Sequence, residues 1–161
     1  MRVGMQGDFC TRRRRLLRGA GALAAVGLAG LPVARADVAG PADPAGAFAA
    51  TTFAEALAAL GDAPAPSALV SLVAPEIVEN GAIVPITVVS RLPDTQEISI
   101  VAEHNPNPLI VRFVIEPGTE PFISTRVKMA ASGCIYAVVK ADGKLYAAFK
   151  NTQVITGGCG G

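Results

Sequence analysis

The chain reads as an all-β sandwich with a short helix ahead of it and a flexible glycine-rich arm behind it. Three observations predict this. From Leu69 onward, short β-branched runs alternate with turn residues, the spacing expected of a sandwich. Before them, Ala47 to Leu60 is alanine-rich and free of proline and glycine. After them come Gly157, Gly158, Cys159, Gly160 and Gly161, which hold nothing that packs.

The first element is an export leader, residues 1–36. Arg12 to Arg15 are followed by Leu16, Leu17, Arg18 and an apolar run to Leu31, and Ala34 and Ala36 flank Arg35. A basic start, an apolar core and small residues at the exit make a signal peptide cleaved before Asp37. The run is shorter than the roughly 20 residues a membrane span needs. With Arg13 and Arg14 as the pair, Leu16, Leu17 and Arg18 fall where a twin-arginine signal carries Phe, Leu and Lys. That route exports folded cargo to the periplasm and leaves no membrane attachment.

Cleavage changes the charge. Seven of the fourteen basic residues and only Asp8 of the thirteen acidic ones precede Asp37, so the processed chain has 7 basic and 12 acidic residues, net −5. No Lys/Arg cluster survives to neutralise phosphates, which excludes nucleic acid as a partner class. Cys10 leaves as well, and Cys134 and Cys159 remain in a compartment where disulfides persist.

Residues 37–66 are a lead-in plus the helix. Phe53, Leu57 and Leu60 lie at helical spacing, Gly61 is a fitting stop, and Thr51 or Thr52 would cap a helix that starts late. Pro64 and Pro66 mark a linker. The sandwich spans 67–156, with strands expected at Leu69 to Ala74, Ile83 to Ser90, Glu97 to Glu103, Leu109 to Ile115, Phe122 to Met129, Ile135 to Lys140 and Lys144 to Lys150. Gln153 to Ile155 would extend the last of these. Alternation puts Leu109, Val111, Phe113 and Ile115 on one face, and Ile123, Val127 and Met129 opposite Ser124, Arg126 and Lys128. Asp142 and Gly143 suit a tight hairpin with two positive φ values. Pro85 donates no ladder hydrogen bond, so its strand is expected at an edge or at a bulge.

The arm, 157–161, carries the chemistry. Glycine lets a backbone pass where side chains cannot, and five extended residues reach about 17 Å at roughly 3.3–3.6 Å each. Symmetric glycines around one terminal thiol therefore read as a device for presenting that thiol to another protein's active site. An ordinary thiol is mostly protonated at neutral pH, and the nearby terminal carboxylate disfavours its ionisation. The free arm is accordingly expected to be unreactive until a partner activates it.

The runs Glu79 to Pro85, Glu103 to Leu109 and Ile123 to Met129, with the terminal Gly157 to Gly161, resemble the SoxY family of sulfur carriers in periplasmic thiosulfate oxidation. The resemblance implies an immunoglobulin-like β-sandwich with a short amino-terminal helix. It implies a stable heterodimer with SoxZ and transient contact with SoxAX, SoxB and, where present, SoxCD. It makes Cys159 the covalent attachment point for sulfur intermediates, Gly157, Gly158, Gly160 and Gly161 the flexible flanks, and the chain a non-enzyme with no cofactor beyond that bound sulfur. Cys134 departs from the family pattern. It is expected to pack as a small buried hydrophobe, the alternative being oxidative pairing with the arm or another chain.

Two rival classes are weaker. His104, Met129, Cys134 and Cys159 include copper-ligand types, yet His104 sits in an Asn- and Pro-rich turn and Met129 reads as core or interface. A structural or assembly module with a disulfide-tethered tail would satisfy the sandwich and leave the glycines unexplained. Catalysis within the chain lacks a nucleophile beside a base. Arg126 and Lys128, with Met129 beyond, are candidates for the SoxZ contact.

Overall fold

The computed structural model describes residues 44–155. The expected single helix is two: α1, Pro44–Ala49, and α2, Phe53–Leu60. The break has a local cause. Thr52 is extended at φ −123, ψ 150 and its hydroxyl accepts the Glu55 amide at 3.2 Å. The Glu55 carboxylate in turn accepts the backbone N–H groups of Thr51 and Thr52, each at 3.2 Å. This capping box satisfies amides that a continuous helix would have paired internally. Gly61 ends α2 at φ 135, its N–H donating to the Ala58 carbonyl.

These hydrogen bonds, led by the Thr51 amide, hold the Glu55 carboxyl below its ordinary value. A carboxyl lowered on folding contributes stability that is complete above its unfolded value and lost as pH falls through the folded one. We therefore expect α2 to loosen first on acidification. Residue-resolved NMR titration should show the Thr52 and Glu55 amides moving with the Glu55 carboxyl, and amide shifts insensitive to that carboxyl would contradict this.

Among the described residues nine strands follow: β1 Ala65–Pro66, β2 Val70–Val73, β3 Ile77–Val78, β4 Val84–Ser90, β5 Thr95–Ala102, β6 Leu109–Val114, β7 Phe122–Val127, β8 Gly133–Ala141 and β9 Lys144–Val154. They form two sheets. The larger runs β1-β9-β8-β5-β6 with β3 also beside β9, and the smaller runs β2-β4-β7. Between them lies the main core: Ile98, Ile100, Ile135, Ala137 and Val139 face Val84, Ile86, Val88, Val127 and Met129. The helices cover the outer face of the larger sheet. Ala47, Ala50, Ala56 and Leu60 pack with Val101, Leu109 and Val138, and Phe53, Tyr136 and Phe149 form an aromatic row with centroids 4.7 and 5.6 Å apart. This is the immunoglobulin-like sandwich with a short helical lead that the sequence predicts.

The seven expected strands are all present, and Asp142 and Gly143 turn the β8–β9 hairpin at φ 49 and 69 as read. Four details differ. Leu109 does not share the face of Val111 and Phe113. The register slips between Ile100 and Val101, so Ile100 faces Val111 while Val101 faces Leu109. One extra residue flips the side chains beyond it, and Leu109 joins the helices instead. The strand holding Pro85 is central, not an edge. Its pairing with β2 stops at Thr87, however, while β7 continues to Val127 opposite Val84, so at Pro85 one side of β4 is open. The stretch read as a proline linker contains β1, and β3 was not anticipated; both run parallel to β9.

Candidate functional site: the root of the carboxy-terminal arm

Cys159 and the glycines Gly157, Gly158, Gly160 and Gly161 lie outside the described residues. The structure does define what they grow from. β9 is paired along one edge with β8 from Lys144 to Thr152. Its other edge takes β1 at Tyr146 and Ala147 and β3 at Gln153 and Val154. Further bonds continue to the last described residue: Gln153 N–H donates to the Glu76 carbonyl at 2.7 Å and Ile155 N–H to the Val78 carbonyl at 2.8 Å. Buried Thr152 donates its hydroxyl to the Pro75 carbonyl at 2.9 Å. The last described residue, Ile155, therefore closes a strand held on both sides, four residues before Cys159.

Three loops converge on that root. Ser132 Oγ accepts the Val154 N–H at 2.9 Å and donates to the Val154 carbonyl at 3.3 Å. His104 Nδ1 donates to the Ser132 carbonyl at 2.7 Å. Asn105 spans the neighbouring loop, donating to the Lys128 carbonyl and accepting from the Ala130 N–H, both at 2.8 Å. Met129 N–H donates to the Gly81 carbonyl at 2.7 Å. Two glycines permit the close approach. A Cβ on Gly133 would sit 2.6 Å from His104 Nδ1, and one on Gly81 would overlap the Met129 carbonyl oxygen. His104 is thus a turn residue, as read, with an added position at the arm's base that spacing alone did not reveal. The Glu103 to Leu109 run carried the signal, since an Asn- and His-rich turn offers side chains that bond neighbouring backbone.

Cys134 corrects an expectation. It is buried, facing the helix side of β8 opposite Asn151, but it is not simply a packing hydrophobe. It is disulfide-bonded, to a cysteine outside the described residues. Met129 belongs to the main core, and among the described residues no group of three or more His, Cys, Asp or Glu side chains gathers to hold a metal ion. Arg126 and Lys128 are exposed, on the face opposite Val127 and Met129.

The family model for "Sulfur oxidation protein SoxY" matches residues 56–159. Among solved structures, the chain is 37% identical to the sulfur carrier protein SoxY from Chlorobium limicola f thiosulfatophilum, covering 67% of this chain and 96% of that one with a TM-score of 0.59. It is 24% identical to a superoxide reductase (neelaredoxin) from Ignicoccus hospitalis over 53% of this chain and 79% of that one, with a TM-score of 0.48. No curated protein matches. With a family match running from helix α2 to the terminal cysteine and a sandwich shared with its solved relative, the chain belongs to the SoxY family of sulfur oxidation proteins.

Proposed function

We propose that this protein is a periplasmic sulfur carrier that holds thiosulfate-derived intermediates covalently on Cys159 and presents them to the enzymes of sulfur oxidation. The observation that carries the reading is the reach of the family match to Cys159 itself. The solved relative is a sulfur carrier, and a root held on both edges sets a fixed origin for a glycine-flanked thiol. The chain performs no turnover of its own. SoxZ is its stable partner, and SoxAX, SoxB and, where present, SoxCD load, hydrolyse and oxidise the cargo. Residues 1–36 direct it through the twin-arginine route, residues 37–66 form the lead-in and helix, 67–156 the sandwich and 157–161 the swinging arm.

Intact-mass measurement of the mature protein after incubation with thiosulfate and these partners should show sulfur adducts, which peptide mapping localises to Cys159. An unchanged mass would refute the carrier reading. One observation favours a second reading, the module with a tethered tail: Cys134 is disulfide-bonded, and leader cleavage leaves Cys159 as its sole possible partner within the mature chain. The same protein resolves the two. The carrier needs an alkylatable Cys159 under conditions that support thiosulfate oxidation, whereas a permanent tether leaves none.

A further inference from the structure

The two outer faces of the sandwich differ. Helices α1 and α2 cover that of the larger sheet, whereas among the described residues no helix packs against the smaller one. Alternate residues of β4 are buried, so Pro85, Thr87 and Val89 point outward. The register sets Val73 beside Thr87, Val89 beside Phe122 and Pro85 beside Arg126, and the Arg91 N–H bond to the Leu69 carbonyl adds one more row. Val73 and Phe122 are 62% and 50% exposed. The charges on this apolar surface are all of one sign. Arg91 and Arg126 stand at its opposite ends with Lys128 beyond, and no Asp or Glu is among the outward side chains of β2, β4 and β7. Yet residues 37–161 carry 7 basic and 12 acidic side chains. Arg112 and Lys150 are paired with Glu97 and Glu76, but Arg91, Arg126 and Lys128 make no ion pair among the described residues.

We infer that this face seats the carrier's stable partner subunit, and that the partner's apposed surface is apolar at its centre and carries carboxylates. An aromatic side chain and unpaired arginines on an apolar surface without acids match the composition of protein interface cores. The deepest contact is assigned to Arg126. Pairing of β2 with β4 stops at Thr87, and beyond it Pro85, Ser124, Thr125 and Arg126 line a notch of about 470 Å³, which admits a carboxylate side chain. Odd-numbered residues of β4 turn their N–H groups toward β2, as the Arg91 bond to Leu69 shows. The next such donor on the open side would be residue 85, and proline has none. The notch is thus no template for an added strand, and the partner is met face on, through side chains. A second copy of this chain using the same face would set guanidinium against guanidinium, which like-charge repulsion disfavours.

The inference rests on the carrier reading for the existence of that partner, and adds where and by what chemistry it binds. SoxZ is the probe. Titration calorimetry of the mature protein with SoxZ should show Arg126→Glu weakening binding by at least about a hundred-fold and Phe122→Ser by about ten-fold. Val114→Ser, at a side chain 68% exposed on β6 and away from this face, should bind as the parent does. Unfolding of each variant alone confirms that the fold survives. Hydroxyl-radical footprinting of the unsubstituted protein, free and bound, needs no variant: Leu69 and Phe122 should lose labelling in the complex while Phe48 and Phe149, exposed on other parts of the surface, keep theirs. Undiminished labelling at Phe122, or unchanged affinity in a folded Arg126→Glu protein, would overturn the inference alone and leave the carrier reading standing. No binding of SoxZ by the unsubstituted protein would overturn the partner reading and the inference with it.

Discussion

Replacing Cys159 by serine is expected to abolish thiosulfate oxidation in a reconstituted system, lowering turnover by at least about a thousand-fold, while leaving the Tm of the reduced protein unchanged. The asymmetry follows from chemistry. Cargo on sulfur is loaded, exchanged and released through sulfur–sulfur bonds, which thiolates form and break reversibly. A serine hydroxyl in a glycine tail, with no adjacent base strong enough to ionise it, is neither nucleophilic nor able to make that bond. The change swaps sulfur for oxygen in a tail whose other residues from 157 onward are glycines with no side chain to bury, so the reduced fold is expected not to notice it. Steady-state rates with every partner present, beside thermal unfolding of the same sample, check both halves. A variant that retains even a tenth of the rate would place the cargo elsewhere.

How far the sequence reveals this molecule depends on the range of the forces involved. Strand positions were legible because each carries its own alternation: β4 and β7 meet as Val84 with Val127, Ile86 with Thr125 and Val88 with Ile123, all inward as their patterns require. The β8–β9 turn was legible because Asp142 and Gly143 alone supply its two positive φ values. What escaped depends on partners distant in sequence. β1 and β3 are two residues each, too short for any period, and exist because β9 offers them an open edge. The flip of Leu109 comes from a bulge set against β5, which one strand's pattern cannot display. The helix break was only half legible: Thr52 is a capping residue type, but the alanine-rich run around it, free of proline and glycine, favours one helix.

The site divides the same way. Cys159 and its glycines are singled out by composition alone, since glycine offers nothing to pack, and they lie outside the described residues. The root does not stand out. His104, Ser132 and Val154 lie 28 and 22 residues apart along the chain, and only the meeting of three loops makes them neighbours. Cys134 shows the opposite difficulty. Burial in a strand is what a small hydrophobe predicts, and the bond it makes leaves no trace in the residues around it.

Gly81→Ala should be the most damaging single-methyl change in the folded domain, and the reason is that its obstacle is backbone. The added Cβ would overlap the Met129 carbonyl oxygen and lie 3.0 Å from Val154 Cγ1. The Gly81 carbonyl also accepts the Met129 N–H at 2.7 Å, so the two segments cannot separate without losing that bond. Side chains escape such a clash by changing rotamer, but a carbonyl moves only with its backbone. We expect a loss of about 2–3 kcal/mol, near 10 °C in Tm for a domain of this size. Gly143→Ala supplies the contrast. Its Cβ would meet nothing within 4 Å, and only the φ of +69 opposes it, a cost of roughly 1–2 kcal/mol. Because Met129 leads into Ser132, which grips Val154, the first substitution should also disturb the base of the arm and the second should not. Chemical denaturation of both variants ranks them, and cargo loading per folded molecule separates their effects on the root. Equal destabilisation, or a Gly81→Ala protein that loads normally, would mean that the loops at this end yield independently and do not hold the arm's origin in place.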